Sequence, residues 1–158
     1  MWKLLWISAV IVVVDQYTKH LASTYLPGRT LEITSMFNLV LVHNPGAAMG
    51  ILNDGSGWQR WLLSIVSIGV SGYLIYWLSR LTAQEKRIAV ALALIIGGAV
   101  GNLIDRLWLG EVVDFIDLHY AGWHFWAFNI ADSAITIGAM LVIYDSIWPR
   151  HANENQTD

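Results

Sequence analysis

Two aspartates lie in or beside stretches whose other residues are typical of a membrane. Asp132 lies within the apolar run that begins at Phe125, and Asp114 lies in the connection VVDFID that precedes this run. A carboxylate inside hydrocarbon costs on the order of 2.5–3.5 kcal/mol even on lenient insertion scales, so an intramembrane acid indicates a functional site. Two carboxyl groups at close range share one proton, which lets one act as general base and the other as general acid. Such a pair is typical of aspartyl hydrolases.

Further polar residues have helical spacing inside apolar runs: Asp15 and Lys19 (i,i+4), Asn102 and Arg106 (i,i+4), and Asn129 and Asp132 (i,i+3). Each pair projects from one helix face. At a rise of about 1.5 Å per residue, Lys19, Asn102 and Asp132 lie roughly 22–24 Å from the same side of the membrane. Because the hydrocarbon core is about 30 Å thick, we expect polar groups of three helices to meet in its outer third.

These polar residues allow functional and structural interpretations. Asn102 and Asn129 would orient the carboxylate pair or hold a scissile peptide, although an interhelical hydrogen bond explains Asn102 equally well. The planar guanidinium of Arg106 suits a carboxylate or a lipid phosphate. Asp105, directly before Arg106, is as readily a structural ion-pair partner as a functional group.

Other features of the helices are expected to be structural. Asp15 and Lys19 are expected to form an intramembrane ion pair that tethers the first helix to its neighbours. The glycines of IIGGAVGN, residues 95–102, indicate close helix packing, because small residues let helix backbones approach one another.

The composition indicates a membrane protein. Of 158 residues, 56% are hydrophobic and only 13% are charged, whereas soluble domains have about 25% charged residues. The net charge of −3 is spread thinly, with no basic stripe for nucleic acid. The absence of cysteine excludes disulfides, a thiol nucleophile and cysteine-bound zinc. His43, His119 and His124 match no metal-binding spacing and are expected at a surface or interface, so we predict no metal site.

The sequence predicts an α-helical integral membrane protein with four apolar segments of spanning length, at about 4–24, 59–79, 88–107 and 125–147. Together they form one membrane-embedded domain, residues 1–150, followed by a polar tail, 151–158. The first segment resembles a secretion signal. However, it leads into Asp15 and Lys19 and not into a small-residue cleavage site, so we expect it to be retained.

The connections predict the topology. SRLTAQEKR, residues 79–87, is short and basic, which favours a cytoplasmic loop and places both termini in the cytoplasm. On the other side, segments at about 28–57 and 110–122 contain β-branched, partly alternating residues followed by turn signals. We expect them to form a small β-platform at the outer face. The membrane–water boundary next to it is expected to hold aromatic side chains, namely Trp123, Phe125, Trp126 and Phe128.

Nearly the whole chain, from about residue 3 to 147, resembles the lipoprotein signal peptidases (signal peptidase II), the intramembrane aspartyl proteases of bacteria. The resemblance rests on five motifs in the family's order: DQYTK (15–19), NPGAAMG (44–50), GGAVGNLIDR (97–106), VVDFID (112–117) and FNIADSAI (128–135). Asp-x-x-Thr-Lys alone would be weak evidence, but the five motifs together are highly specific. One departure is Met49, where many members have phenylalanine.

The resemblance implies roles for individual residues. It makes Asp114 and Asp132 the catalytic aspartates. It identifies further active-site residues, Asn44, Asn102, Arg106 and Asn129, and a first-helix pair, Asp15 and Lys19. Family members have four transmembrane helices and a periplasmic β-cradle in the bacterial cytoplasmic (inner) membrane.

The resemblance also implies a reaction and partners. Family members cleave the signal peptide of a prolipoprotein just before a cysteine that bears a diacylglyceryl group, and the cyclic peptide globomycin inhibits them. The expected partners are lipidated prolipoproteins and membrane lipid, with no nucleic acid and no cofactor. A monomer is expected because the site is complete within one chain.

Two other classes of protein compete with the enzyme. A small proton- or ion-coupled carrier would use Asp15, Asp105 and Asp132 to relay charge. Against it, the acids cluster at one depth, and the chain has no transporter-like repeat. A non-enzymatic assembly or scaffold protein is the third interpretation, in which neither Asp114 nor Asp132 would affect any cleavage.

Overall fold

The computed structural model describes residues 1–46 and 56–148. A short 3-10 turn, Trp2–Leu4, is followed along the chain by four long helices: α1 (Leu5–Tyr25), α2 (Trp58–Arg80), α3 (Lys86–Trp108) and α4 (Ile130–Ile147). The first three agree with the predicted segments to within two residues. The polar tail and part of the NPGAAMG motif, including Met49, lie outside the described residues.

α4 begins later than the predicted start at residue 125. Asn129 has an extended backbone, with φ −133° and ψ −174°, and its side chain accepts a hydrogen bond from the backbone N–H of Asp132. Phe128 is paired with Ile116 of the neighbouring strand, so its backbone is not available to a helix. The prediction of a helix over 125–129 is therefore wrong, because apolar composition alone does not reveal this strand pairing.

α3 is the central helix of the protein. It packs against α1, α2 and α4, and most of its residues are buried, whereas only a small share of the residues of α2 and α4 is buried. Its glycines make this packing possible. A Cβ on Gly97 would meet the backbone of Ser8 in α1, and a Cβ on Gly98 would clash with the carbonyl oxygen of Ala131 in α4. The predicted role of these glycines in close packing is confirmed.

The predicted β-structure is an antiparallel sheet in the order β1–β2–β3–β4. Its strands are β1 (Leu31–Thr34), β2 (Phe37–Asn44), β3 (Val112–Tyr120) and β4 (Trp123–His124). Val112 and Val113 of β3 are buried, as is Phe115. Phe115 packs with Ala22 and Leu26 at the end of α1, so the sheet is fixed on the helices at that end.

Three helices of the described part are long and apolar enough to cross a membrane, namely α2, α3 and α4. α1 has 21 residues, but its second half carries polar groups that include Asp15 and Lys19. Both side chains are buried inside the protein. The exposed surface is rich in large apolar side chains, such as Trp61 and Ile65 of α2, which is typical of a surface that faces lipid.

Candidate active site

A cavity of about 690 Å³ lies between α3, α4 and the sheet. This volume is within the range of about 300–1,000 Å³ that ligand pockets occupy. Asp114 and Asp132 both line it, and so do three of the four predicted supporting residues, Asn44, Asn102 and Arg106. The structure thus brings these residues together from four elements, β2, α3, β3 and α4.

Asp132 lies in the first turn of α4. Its Oδ2 accepts a hydrogen bond from the backbone N–H of Asn129 at 3.3 Å, while Asn129 Oδ1 accepts from the N–H of Asp132 at 3.0 Å. This reciprocal cap satisfies two of the N–H groups that a helix start leaves free. The positive end of the helix dipole also favours a negative charge at this position. Helix geometry therefore orients the Asp132 carboxyl group.

Asp114 lies on β3, opposite Val42 of β2, and is 2% exposed. Hydrogen bonds hold its carboxyl group from two sides, one from strand β2 and one from the N-cap of α4. Asn44 Nδ2 donates to Asp114 Oδ2 at 3.1 Å, and Asn129 Nδ2 donates to Asp114 Oδ1 at 2.7 Å. β3 is paired along much of its length with β2, and the N–H of Val113 donates to Asp105 of α3, so the backbone that carries Asp114 is fixed relative to both the sheet and the helices.

Asn129 links the two carboxyl groups. It is fully buried, donates through its side chain to Asp114, and caps Asp132 through its backbone N–H and its side-chain oxygen. Asn102 of α3 completes the link, since its Nδ2 donates to Asp132 Oδ1 at 2.7 Å and its Oδ1 accepts from Asn129 Nδ2 at 3.2 Å. The two carboxyl groups therefore share one residue as a hydrogen-bond donor: Asn129 donates to Asp114 through its side chain and to Asp132 through its backbone N–H.

The environment of Asp114 changes its protonation. Burial, and then the negative charge of Asp132, raise the pKa of Asp114 to about 7, against the opposing hydrogen bonds from Asn44 and Asn129. An aspartate exposed to water titrates near pH 4. The Asp114 carboxyl is therefore largely protonated below neutral pH, as a general acid must be.

A second polar cluster lies beside this pair and is centred on Lys19. Its ammonium group is 2.8 Å from Asp15 Oδ2 and 2.8 Å from Asp105 Oδ2, and it donates to Asn102 Oδ1 at 2.9 Å. All four groups are buried. The predicted pair of Asp15 and Lys19 is thus part of a three-charge cluster. Since Lys19 also contacts Asn102, the cluster positions a residue that binds Asp132.

Asp15 and Asp105 connect the cluster to the rest of the fold. Asp15 Oδ1 accepts from the N–H of Ala131 at 2.9 Å, which caps another free N–H of α4. Asp105 Oδ2 accepts from the N–H of Val113 at 3.2 Å, directly before Asp114. Neither carboxylate lines the cavity. Of the two interpretations left open for Asp105, this geometry favours the structural one.

Arg106 projects into the cavity from α3. Its guanidinium donates to the carbonyl oxygen of Gly46 at 3.0 Å and to that of Asn102 at 3.4 Å, and the residue is 8% exposed. These contacts hold the side chain through backbone oxygens. The cavity therefore combines a fixed positive charge with the two carboxyl groups.

Sequence reasoning missed one polar residue of the buried cluster and most of the cavity wall. Gln16, inside the DQYTK motif, donates to Asp105 Oδ1 at 2.8 Å and to the carbonyl of Gly101 at 3.1 Å. The wall includes two residues that helical spacing places on the face of Asp132, Ile135 and Thr136, at i+3 and i+4. That spacing was a usable signal. The β3 residues of the wall had none, because their register is set by pairing with β2.

The fold and the site define a class: a helical membrane enzyme with a pair of carboxyl groups, Asp114 buried and Asp132 half-buried, at the edge of a mostly apolar cavity. The family profile described as "Signal peptidase (SPase) II" matches residues 7–148. The chain belongs to the signal peptidase II family and is a peptidase, so the carrier and scaffold interpretations are excluded.

Similar proteins support this membership. A protein of Burkholderia vietnamiensis (strain G4 / LMG 22486), named lipoprotein signal peptidase, is 50% identical over 89% of this chain and 85% of its own length. One of the same name from Pseudoalteromonas atlantica is 46% identical over 90% and 88%. A solved structure described as a bacterial membrane enzyme superposes with a TM-score of 0.86 at 34% identity, over 100% of this chain and 94% of the other. A second, of the same description, gives 0.82 at 35%, over 94% and 95%.

Proposed function

We propose that the chain is an aspartic endopeptidase that removes the signal peptide from diacylglyceryl-modified prolipoproteins, cutting just before the lipidated cysteine. Asp114 and Asp132 are its catalytic pair. The observation that carries this assignment is Asn129, which donates to Asp114 Oδ1 at 2.7 Å and caps the turn that holds Asp132. The substrate class rests on the relatives at 46% and 50% identity, which are named lipoprotein signal peptidases.

The first step uses the two carboxyl groups in opposite protonation states. Asp132, favoured as an anion at the start of α4, takes a proton from a water molecule, whose oxygen attacks the scissile carbonyl carbon. Asp114, whose pKa is raised to about 7, donates its proton to the carbonyl oxygen. The product is a neutral tetrahedral diol, and the proton has moved from Asp114 to Asp132 within the pair.

The second step reverses these roles. Asp132, now protonated, donates to the nitrogen of the leaving amine as the carbon–nitrogen bond breaks. Asp114 takes back a proton from the diol hydroxyl as the new carboxyl group forms. The pair returns to its starting state with one proton, and one water has been added across the peptide bond.

The supporting residues hold the pair and the substrate. Asn44 and Asn129 orient Asp114, and Asn102 orients Asp132, each through the hydrogen bonds described above. Arg106 is positioned to bind a carbonyl oxygen of the peptide or a phosphate of the surrounding lipid, because its guanidinium is fixed and faces the cavity. No cofactor takes part in the proposed chemistry.

The shape of the cavity supports access from the membrane. Its wall is mostly apolar and extends along α4 to Ile137 and Met140, which are exposed on the outside of the protein. An acyl chain or a signal-peptide helix would therefore reach Asp132 without passing through water. The same opening suits a cyclic peptide inhibitor of the globomycin type. The site needs no second copy of the chain, which supports a monomer.

The membrane arrangement is part of the proposal. α1 would be a fourth span, because its 21 residues extend about 31 Å and its charged side chains are buried against α3. The basic α2–α3 connection and both termini would lie in the cytoplasm, with the sheet and the catalytic pair at the outer, periplasmic face of the bacterial inner membrane.

A gel-shift cleavage assay tests the function. The purified full chain in detergent receives a diacylglyceryl-modified prolipoprotein or the same precursor without lipid. We expect cleavage of the lipidated precursor only, and we expect Asp114→Asn and Asp132→Asn each to lower the rate about 100- to 10,000-fold, the usual effect of losing a general acid or base.

A matched control separates chemistry from general loss of charge. Asp145 lies on the same helix as Asp132, about 20 Å further along, in a half-buried ion pair with Arg87. Asp145→Asn should cleave at the wild-type rate. Near-normal cleavage by either active-site variant would overturn the catalytic pair, and equal cleavage of the unlipidated precursor would overturn the substrate class.

A further inference from the structure

The hairpin of β3 and β4 carries a second group of chemically active side chains. Asp117 and His119 lie two residues apart on β3 and so project from the same face of the strand. His124 of β4 pairs with His119 in the strand register. One ligand atom from each of the three residues lies within 4.8 Å of the other two. None of them lines the cavity of the catalytic pair.

The hydrogen bonding of this group is incomplete. His119 Nδ1 is buried and has no hydrogen-bond partner in the described part of the chain, and its closest charged neighbour is Asp117 Oδ2 at 3.9 Å. Buried polar atoms are nearly always paired, so this nitrogen calls for an explanation. His124 Nδ1 lies 3.0 Å from the Asp117 carboxylate, and the two imidazole rings stack at 5.1 Å. Three potential ligands therefore converge around one unpaired nitrogen.

We propose that Asp117, His119 and His124 form a binding site for a divalent transition-metal cation with the ligand preferences of Zn²⁺. Two imidazole nitrogens and one carboxylate oxygen form a common three-ligand zinc set, which leaves a fourth position for water. Ca²⁺ and Mg²⁺ prefer sets made of oxygen alone and do not fit these ligands. The cation would fill the unused coordination capacity of His119 Nδ1.

To bind one cation, the three ligand atoms need to move only slightly closer together. Zinc bonds of about 2.0–2.1 Å to nitrogen put tetrahedral ligand atoms about 3.3 Å apart. The ligand atoms now lie within 4.8 Å of one another, so no separation must shrink by more than about 1.5 Å. The His124 side chain is 59% exposed, so the solvent on that side leaves it room to turn while its Nδ1 stays near the Asp117 carboxylate. Asp117 is already held, because Asn38 Nδ2 donates to its Oδ2 at 3.2 Å. Such a contact behind a ligand is typical of metal sites.

The position of the site gives it a consequence for the enzyme. Phe125 follows His124 directly, and its N–H donates to the carbonyl of Leu118 at 2.7 Å. Residues 125–128 then form one wall of the catalytic cavity. A cation bound between β3 and β4 would therefore fix the strand that leads into this wall. Metal binding itself does not depend on the proposed catalytic roles.

The test is a Zn²⁺ titration of the full chain in detergent, without a histidine tag, in competition with a chromogenic chelator. We expect one equivalent of Zn²⁺ to bind, and His119→Gln and His124→Gln each to weaken this binding at least tenfold. His43→Gln is the matched control, because His43 is exposed on the adjacent strand β2 and outside the group. It should bind Zn²⁺ like the wild type.

Two outcomes would overturn the proposal. One is the absence of Zn²⁺ binding to the wild-type chain. The other is unchanged binding in His124→Gln, which would assign any bound Zn²⁺ to other residues. If His119→Gln fails to fold, His124→Gln decides, since its side chain is largely exposed and its loss is compatible with folding. The Zn²⁺-dependent rise in unfolding temperature should disappear in the same variants.

Discussion

Asn129 shows how one side chain contributes to both folding and chemistry. As the N-cap of α4 it accepts the N–H of Asp132, and as a buried amide it donates to Asp114. An uncapped helix end in an apolar environment would leave N–H groups unpaired, which is costly. The residue that solves this problem also joins the two carboxyl groups. Capping and site assembly are therefore the same interaction.

The proton on Asp114 predicts a pH dependence. Below about pH 7 the Asp114 carboxyl is protonated, and above it Asp114 ionises beside Asp132, so that no general acid remains. We expect kcat/KM for prolipoprotein cleavage to fall as the pH rises through about 7. Asn44 stabilises ionised Asp114 through its hydrogen bond, so Asn44→Ala should raise the pKa of Asp114 and move this decline to higher pH.

The measurement is a kcat/KM profile between about pH 5 and pH 9 for both proteins. Asn38→Ala is the matched control. Asn38 lies on the same strand as Asn44, but its side chain donates to Asp117 and not to Asp114. The kcat/KM of Asn38→Ala should decline at the same pH as that of the wild type. A decline that stays in place or moves to lower pH in Asn44→Ala would contradict the assignment of the proton to Asp114.

At the scale of elements, the contact of α3 with α4 sets the distance between Asn102 and Asp132. The two helices approach so closely at Gly98 that a methyl group there would meet the carbonyl oxygen of Ala131 and the side chain of Ile135. Backbone atoms cannot turn aside as a flexible side chain can. The helices must therefore separate if any side chain is added at this position.

We predict that Gly98→Ala lowers the free energy of unfolding by about 1–3 kcal/mol, the usual cost of overpacking. Cleavage should also fall, because the shift moves Asp132 away from Asn102. The matched control is Gly72→Ala on α2, where an added Cβ meets nothing within 4 Å and helix propensity improves by up to about 1 kcal/mol. Unfolding by SDS in mixed micelles measures the free energy of unfolding of both variants. Equal stability of the two variants would contradict the close contact.

At the scale of the whole molecule, α1 carries ionisable side chains through the apolar part of the protein. Asp15 is 0% exposed and paired with Lys19, which also contacts Asp105. A helix with these residues would be poorly soluble in lipid alone, but here the charges face α3 and neutralise one another. The proposed fourth span thus depends on assembly with its neighbours.

The absence of cysteine allows a direct test of this topology. Single cysteines at three exposed positions, Lys3→Cys, Ser35→Cys and Gln84→Cys, report the N-terminus, the β1–β2 turn and the α2–α3 connection. In intact spheroplasts a membrane-impermeant maleimide should label only Ser35→Cys, and the other two should react after lysis. The cysteine-free parent is the control. Labelling of Lys3→Cys and Ser35→Cys from the same side would show that α1 does not cross the membrane.

The sequence by itself determined the apolar helices and the polar residues that interrupt them. Hydropathy measures the free energy of moving residues from water into hydrocarbon, so the ends of α2 and α3 were predicted to within two residues. On the same basis, an acid such as Asp132 inside an apolar run was recognised as energetically costly. Helical rise alone also predicted that Lys19, Asn102 and Asp132 would meet, and their hydrogen bonds confirm that they do. The reason is that a helix that crosses a membrane runs across it over a fixed thickness, so the position of a residue along the helix gives its depth.

Tertiary structure alone decided what depends on strand pairing. It brought Asp114 beside Asn129, began α4 at Ile130, and set His119 opposite His124. None of this follows from spacing along the chain, because a strand register joins residues from distant segments and a shift of one residue reverses every side chain. Helix depth is a local property of the sequence, whereas the register of the sheet is a property of the folded molecule.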